Sequence, residues 1–374
     1  MAHKKKVKNL HRGENLKINS FFSSYKPFLK FLLKRLGFWI LVLVFGLNLV
    51  YFLPRLMPVN PVDMFLVRVL GGGGVGLGMA GASGTSTGGK IEEIKARFME
   101  LFGLDKPPLI QYLLFWKRIT TLNFGISYVE YPKQVSYVVI NALSWTLLLI
   151  VPVIIVGFIA GTYLGLWVAL RPSKIKNSIF YAFVVLLQTP YYWLAMILLY
   201  AFAVTFQVFP IKGAYSERFL SPTLSLEFVI DALWHYILPF LTLCIPTIGG
   251  YAAGMRAAVA SEARSLYVEF CNYLGFSTKK IRSYLLRSAV LPQLTWFPIT
   301  FVGLISQTLL VEVVFGYPGI GFYMYLAAFT LDYPLMEALF LMTMTIIVFG
   351  SLIVELIYGL LNPKIGSAYV AEEV

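Results

Sequence analysis

The sequence predicts an all-α, polytopic membrane protein with six transmembrane helices and an extracytoplasmic loop subdomain. Three observations carry that prediction. Charged residues make up only 13% of the chain and apolar ones 58%, against about 25% and 45–50% in soluble domains. Several uninterrupted apolar runs exceed the roughly 20 residues that a helix needs to cross a hydrocarbon core of about 30 Å. The alternation in pieces of about 10 residues that marks a membrane β-barrel is absent.

In chain order, the spans are expected at about 36–57, 143–170, 179–206, 236–260, 291–313 and 337–361. An even number places both termini on one side. The loops then sort by the positive-inside rule. The 1–35 leader, the 171–176 turn, the 256–290 island and the tail hold 20 of the 31 Lys and Arg, the outer segments the other 11. Nine of those 11 lie in the long 55–142 segment, whose length weakens their topological weight, and the short outer loop 314–336 has none. Both termini are therefore expected in the cytoplasm and the chain in the cell membrane. The organisation is a basic leader (1–35), a first transmembrane helix (36–57), an outer segment (58–142), a five-helix core (143–361) interrupted by a cytoplasmic island at 261–290, and a cytoplasmic tail (362–374).

The net charge of +13 does not mark a nucleic-acid binder, because ten of the Lys and Arg precede Leu36. Beside a span, such a leader retains the N-terminus in the cytoplasm and attracts anionic lipid. It lacks the small-residue cleavage site of a removable signal peptide. Within the outer segment, Gly71–Gly89 is a low-complexity insert with too little side chain to pack. Ile91, Ile94, Phe98 and Leu101 then repeat at helical spacing. A second amphipathic helix follows Pro107-Pro108. The two helices are expected as a small cap, either resting on the lipid interface or receiving an external partner.

Several constellations exclude chemistry. Gly84-Thr85-Ser86-Thr87-Gly88-Gly89-Lys90 imitates a phosphate-cradling loop, but Ile91 stands where Ser or Thr must hold magnesium. It also lies on the outer side, away from cytoplasmic ATP. Cys244 and Cys271 fall in an apolar segment and in the basic island, so no disulfide framework is expected. His3, His11 and His235 have no ligand spacing, and no metal site is expected. No catalytic constellation is legible, so the chain is expected to be no enzyme.

Polar residues inside the spans mark a candidate pathway. Gln188, Thr189 and Pro190 interrupt the third span, where proline frees a carbonyl and the polar pair either satisfies it or lines a water path. Gln307 and Thr308 lie within the fifth span, and Asn141 and Ser144 at the start of the second. Such side chains also serve as glue between helices. Glu312 ends the fifth span and Glu355 lies late in the sixth. A carboxylate at membrane depth is costly and commonly functional. After Glu312, Gly316, Pro318, Gly319 and Gly321 force a looped connection. That loop reads as a plug over the outer pore mouth or as a turn, the pore role being preferred because irregular backbone at membrane depth must line a cavity or be buried.

Tyr267–Pro292 is a polar, basic island between two apolar spans, read as a docking helix. At this point the chain resembles a family: the inner-membrane permease subunits of ATP-binding-cassette importers, in the dipeptide and oligopeptide branch. The resemblance runs from about Leu33 to Gly366. It rests on Leu56-Met57-Pro58-Val59-Asn60-Pro61, on Phe102-Gly103-Leu104-Asp105-Lys106-Pro107 with Gln111-Tyr112-Leu113, on Val311 to Gly321, on Asp332-Tyr333-Pro334 and on Leu361-Asn362-Pro363-Lys364. The island is similar to the family's Glu-Ala-Ala-x-x-x-Gly motif, with Glu269 and Gly275 in place and Phe270 and Cys271 where the alanines stand.

The resemblance implies a type I importer fold and an ATPase-coupling role for Glu269, Cys271, Gly275, Phe276, Lys279, Lys280, Ile281 and Arg282. Gly275 is expected to turn the chain, with Ser277 or Thr278 capping the next helix. That helix is expected to sit in a groove of the ATPase, with Phe276 or Ile281 as its apolar anchor and the basic residues facing acidic ones. The alternative is an amphipathic helix on the lipid surface. Gly316, Pro318, Gly319 and Asp332 fall in the implied outer loop. Implied partners are a second permease subunit, two cytoplasmic ATPases that hold ATP and magnesium, an external substrate-binding protein and the bilayer. This chain itself is expected to bind no cofactor, metal or nucleic acid. The implied cargo is di- or oligopeptide, with oligosaccharide or nickel as alternatives. A secondary transporter is the rival of another class, but its inverted repeats and midplane ionisable residues are not evident.

Overall fold

A computed structural model of the chain describes residues 34–56, 62–63, 88–170, 172–219 and 221–361, with backbone alone at 88–91, 94, 101–102 and 354–361. The expectations for the leader up to residue 33, for Pro58–Pro61, for the glycine-rich insert through Thr87 and for the 362–374 tail lie outside the described residues. The side chain of Glu355 does so too.

Among the described residues all regular structure is helical, apart from one isolated bridge between Ile126 and Gln134. Five helices are long and apolar enough to cross a membrane: α1 (Lys34–Arg55), α4 (Val135–Leu170), α7 (Leu226–Glu262), α9 (Thr278–Phe315) and α11 (Tyr333–Leu361, apolar over Tyr333–Ile353). Between α1 and α4 lie α2 (Gly88–Phe102) and α3 (Pro108–Thr121). The expected third span is broken. α5 (Lys174–Leu187) and α6 (Tyr191–Leu198, continued as a π-helix over Leu199–Thr205) meet at 110°, so six spans are reached only by counting this bent pair as one. Pro190 causes the break: it has no N–H to donate, and it pushes Thr189 out of the helical region. The last turn of α5 tightens instead, with Gln188 N–H donating to Val185 O and Thr189 N–H to Leu186 O, both at 3.1 Å.

The central contact joins α4 and α7. Gly157, Gly161 and Gly165 recur every four residues on one side of α4, where a Cβ at Gly161 would fall 2.6 Å from Ile248 O. In lipid no hydrophobic effect draws helices together, so close backbone approach through small residues does that work. On its other side, α7 receives α5 at Gly249, which packs on Phe183 O.

Pro152 lies inside α4 and leaves Leu148 O without its helical donor. Tyr236 of α7 restores it: its hydroxyl donates to Leu148 O at 3.3 Å. Replacing Tyr236 with Phe should therefore lower stability by about 1 kcal/mol. Thermal unfolding in detergent measures this, and an unchanged midpoint would show the bond to be immaterial.

The two ends of the bundle differ. At one end, the start of α11, the short α10 (Ile320–Thr330) and α3 pack with α1 and α4 around Tyr51, Phe115, Val138, Ile320 and Leu339. At the other, α8 (Leu266–Tyr273) connects α7 to α9. The outer loop expected at 314–336 thus holds a helix, because IGFYMYLAAFT is apolar on all sides and finds buried neighbours on α4, α9 and α11.

Candidate functional site

The basic island folds as α8, a glycine turn and the first turns of α9. α8 ends in a Schellman motif: Gly275 has φ +70°, its N–H donates to Asn272 O, and Phe276 N–H donates to Cys271 O, both at 3.0 Å. Nothing lies within 4 Å of a Cβ built at Gly275, so a larger residue there is opposed by its positive φ and not by lack of space. Ser277, not Thr278, takes the N-cap position of α9, although its side chain accepts no capping bond. The turn folds α9 back on α8, and Val268 packs against Ile281 and Leu285, with Cys271 and Phe276 beside them.

This geometry corrects the expected anchors. Ile281 is buried inside the island, and Phe276 is half-buried under Lys280 Nζ, 4.6 Å from its ring centroid. The helix after Gly275 is no separate element, since it runs on as α9 to Phe315. The free-standing helix is α8, and its outer face carries Leu266, Phe270, Tyr273 and Leu274, exposed by 83, 62, 81 and 55%. These stand at i, i+4, i+7 and i+8, one helical face. That spacing was legible in LYVEFCNYL, opposite the buried Val268. Glu269 lies exposed in the first turn of α8, where the helix dipole favours it, and accepts from the Tyr273 hydroxyl at 3.3 Å. Lys279 and Lys280 are exposed, and Arg282 is half-buried.

The pathway candidates do not share one surface. Gln188 and Gln307 are exposed, and Thr189 is half-buried at the 110° break. Thr308 is fully buried and returns its hydroxyl to Leu304 O at 2.7 Å. Glu312 is fully buried as well and acts as a cap. Its carboxylate accepts from the Thr146 hydroxyl and from Gly321 N–H, both at 2.6 Å, while the Thr146 oxygen accepts from Ile320 N–H at 2.9 Å. Together they satisfy the N-terminus of α10.

The outer-loop residues build that cap. Gly316 ends α9 at φ +57°, and Pro318 lies in the turn that follows. Gly319 needs space more than conformation: a Cβ there would overlap the Glu312 carboxylate, and one at Gly321 would overlap the backbone of Leu309.

Asp332, also fully buried, caps α11. Oδ1 accepts from Leu335 N–H at 3.1 Å, while Oδ2 accepts from the Ser127 hydroxyl and from Tyr128 and Val129 N–H at 2.7, 2.6 and 2.9 Å. Burial pushes its carboxyl above the usual range, and those donors pull it back. A third buried carboxylate escaped the sequence reading. Glu337 of α11 accepts from Arg118 of α3 through both oxygens at 2.8–3.1 Å, and Arg55 of α1 stands 3.6 Å away. No cluster of His, Cys, Asp or Glu among the described residues suits a metal, and Cys244 and Cys271 are free thiols.

Residues 161–367 match the family model described as binding-protein-dependent transport system inner membrane component. An oligopeptide transport system permease protein of Bacillus subtilis is 29% identical over 274 residues, 72% of this chain and 84% of that protein. A di/tripeptide transport system permease protein of Pseudomonas aeruginosa is 26% identical over 90% of this chain and 98% of its own. An oligopeptide transport system permease protein of Haemophilus influenzae is 25% identical over 90% and 99%.

Proposed function

We propose, from the premise that the chain belongs to the family of binding-protein-dependent transport system inner membrane components, that it is the non-catalytic membrane subunit of an ATP-driven importer. It forms half of the translocation path, and di- or oligopeptides are the cargo. The relatives' names favour peptides over the oligosaccharide and nickel alternatives. A second permease subunit completes the path, two cytoplasmic ATPases hold ATP and magnesium, and an external binding protein delivers the cargo. The positive-inside count supports cytoplasmic termini and a cytoplasmic α8. The 58–142 segment then faces the binding protein.

One observation carries the ATPase assignment: α8 turns an apolar face of Leu266, Phe270 and Tyr273 away from its own chain. Its opposite face is locked to α9 through Val268, Ile281 and Leu285. A motor gripping α8 therefore moves the start of α9 with it. α9 continues to Phe315, and Glu312 in its last turn caps α10. Displacement of the island is thereby passed to the outer end. Lys279 and Lys280, beside this face, suit acidic groups on the ATPase and speed its docking.

Burying Phe270 and Tyr273 contributes about 1.5–3 kcal/mol each, so truncating both should weaken docking by a hundredfold or more, at about 1.4 kcal/mol per factor of ten. The double variant Phe270→Ala/Tyr273→Ala should insert at normal levels, lose the co-purifying ATPase and take up labelled dipeptide more than about tenfold slower. Wild-type uptake with the ATPase still bound would remove α8 from the coupling role. Competition by unlabelled peptides, sugars and nickel in the same uptake assay identifies the cargo.

A further inference from the structure

We propose that the crevice between α1, α3 and the start of α11 binds the phosphate group of a membrane phospholipid. This rests on the ionic cluster and its height in the membrane, and is independent of the transport reading. Arg55, Arg118, Gln111 and Tyr128 line the crevice with Tyr333 and Leu104. The crevice is narrow and open on one side, with room for a group about the size of one water, such as a phosphate oxygen.

The charges there are unevenly met. Arg118 and Glu337 form a two-pronged pair complete in itself, and Asp332 is saturated by four donors. Arg55 is left over. Its guanidinium lies 3.7 Å from the Tyr51 ring centroid and 4.4 Å from that of Tyr333, with one Nη donating to Tyr51 O at 2.7 Å. Its nearest carboxylate oxygen is 3.6 Å away on Glu337, which Arg118 already holds, and its Nε is buried without an acceptor. A planar guanidinium that lines the crevice, stays 18% exposed and is only partly met is suited to an oxyanion.

Height and surroundings select the lipid. Arg55 is the last residue of a 22-residue span, which at 1.5 Å per residue is about 33 Å long against a core of about 30 Å. The guanidinium therefore stands at headgroup level. Within a turn of the crevice, Phe52, Leu53 and Leu56 of α1 and Leu109 and Leu113 of α3 are exposed. Phe52 and Leu53, which precede Arg55 on the span, offer acyl chains a surface beneath a held phosphate.

The test uses the full chain with its accompanying subunits, purified in a maltoside detergent, and dioleoyl phosphatidylglycerol as probe. That lipid should raise the thermal unfolding midpoint, whereas dioleoylglycerol and inorganic phosphate should not. Arg55→Gln keeps the Arg118–Glu337 pair and should lose at least about half of the rise, each shift being measured against the same variant without lipid. Leu56→Glu, an exposed change that places a negative charge beside Arg55, should lose it too. Native mass spectrometry should count one retained phosphatidylglycerol fewer in both variants. An equal rise with dioleoylglycerol would mean an acyl contact only, and an equal rise with inorganic phosphate a free-anion site. Either result overturns the proposal, as does an undiminished rise and lipid count in both variants.

Discussion

Valine at position 321 should leave little folded protein in the membrane. Any side chain at Gly321 overlaps Cα, C and O of Leu309, which are backbone atoms in the interior of α9 and have nowhere to go. Helix α10 must then move off α9. Doing so pulls Gly321 N–H away from the Glu312 carboxylate, which is buried and accepts that bond at 2.6 Å. Overpacking of this kind costs about 1–3 kcal/mol, and occasionally more, and losing a hydrogen bond to a charged group about 1.5–3 kcal/mol. Their combination approaches the lower end of the roughly 5–15 kcal/mol that holds a domain folded. Size-exclusion yield of a fluorescently tagged chain measures the effect, with Gly321→Ala as a milder member of the series. Normal yield and an unchanged unfolding midpoint for the valine variant would show that the α9–α10 contact is not the close approach described.

Arg118→Met should be the most damaging single change to the ionic cluster. Glu337 has 1% of its side chain exposed, and without Arg118 it keeps only Arg55 at 3.6 Å. Stranding one member of a buried pair costs about 3–5 kcal/mol, whereas replacing both with apolar residues of similar size is often neutral. The double variant Arg118→Met/Glu337→Leu should therefore regain most of the loss. A double-mutant cycle on thermal unfolding decides it. Additive effects of the two changes would mean that the two side chains do not act as a pair.

Much of this architecture was legible because it depends on local chemistry. Apolar run length revealed α1, α4, α7, α9 and α11, and Gly275 and Gly316 announced the turns they make at positive φ. Boundaries were less legible. The helix that carries the span expected from 291 begins already at Thr278, since TKKIRSYLLRSAV is polar yet still a good helix, and hydropathy reports lipid rather than backbone. Pro190 was seen as an interruption, but sequence carries no angle, and the 110° bend is decided by packing on α7. Glu337 escapes the sequence, and the partners of Glu312 and Asp332 are not legible in it, for one reason. Glu312 meets Thr146 across 166 residues, Asp332 meets Ser127 across 205, and Glu337 meets Arg118 across 219. No spacing rule reaches that far. In the island the basic residues draw attention to the segment after Gly275, while the exposed aromatic face precedes it.

The length of α9 decides which surroundings the face on α8 can have. Its residues 278–290 precede the apolar stretch, and at 1.5 Å each they rise about 20 Å when upright. Tilts of about 20°, usual for such helices, shorten that by only an ångström or two. The Gly275 turn at the head of α9 is therefore carried about 20 Å beyond that stretch, and the exposed side chains beside it, Tyr273 and Leu274, stand away from the acyl chains. Lipid cannot cover them at that distance. An apolar face held off the membrane by its own stalk calls for a protein cover.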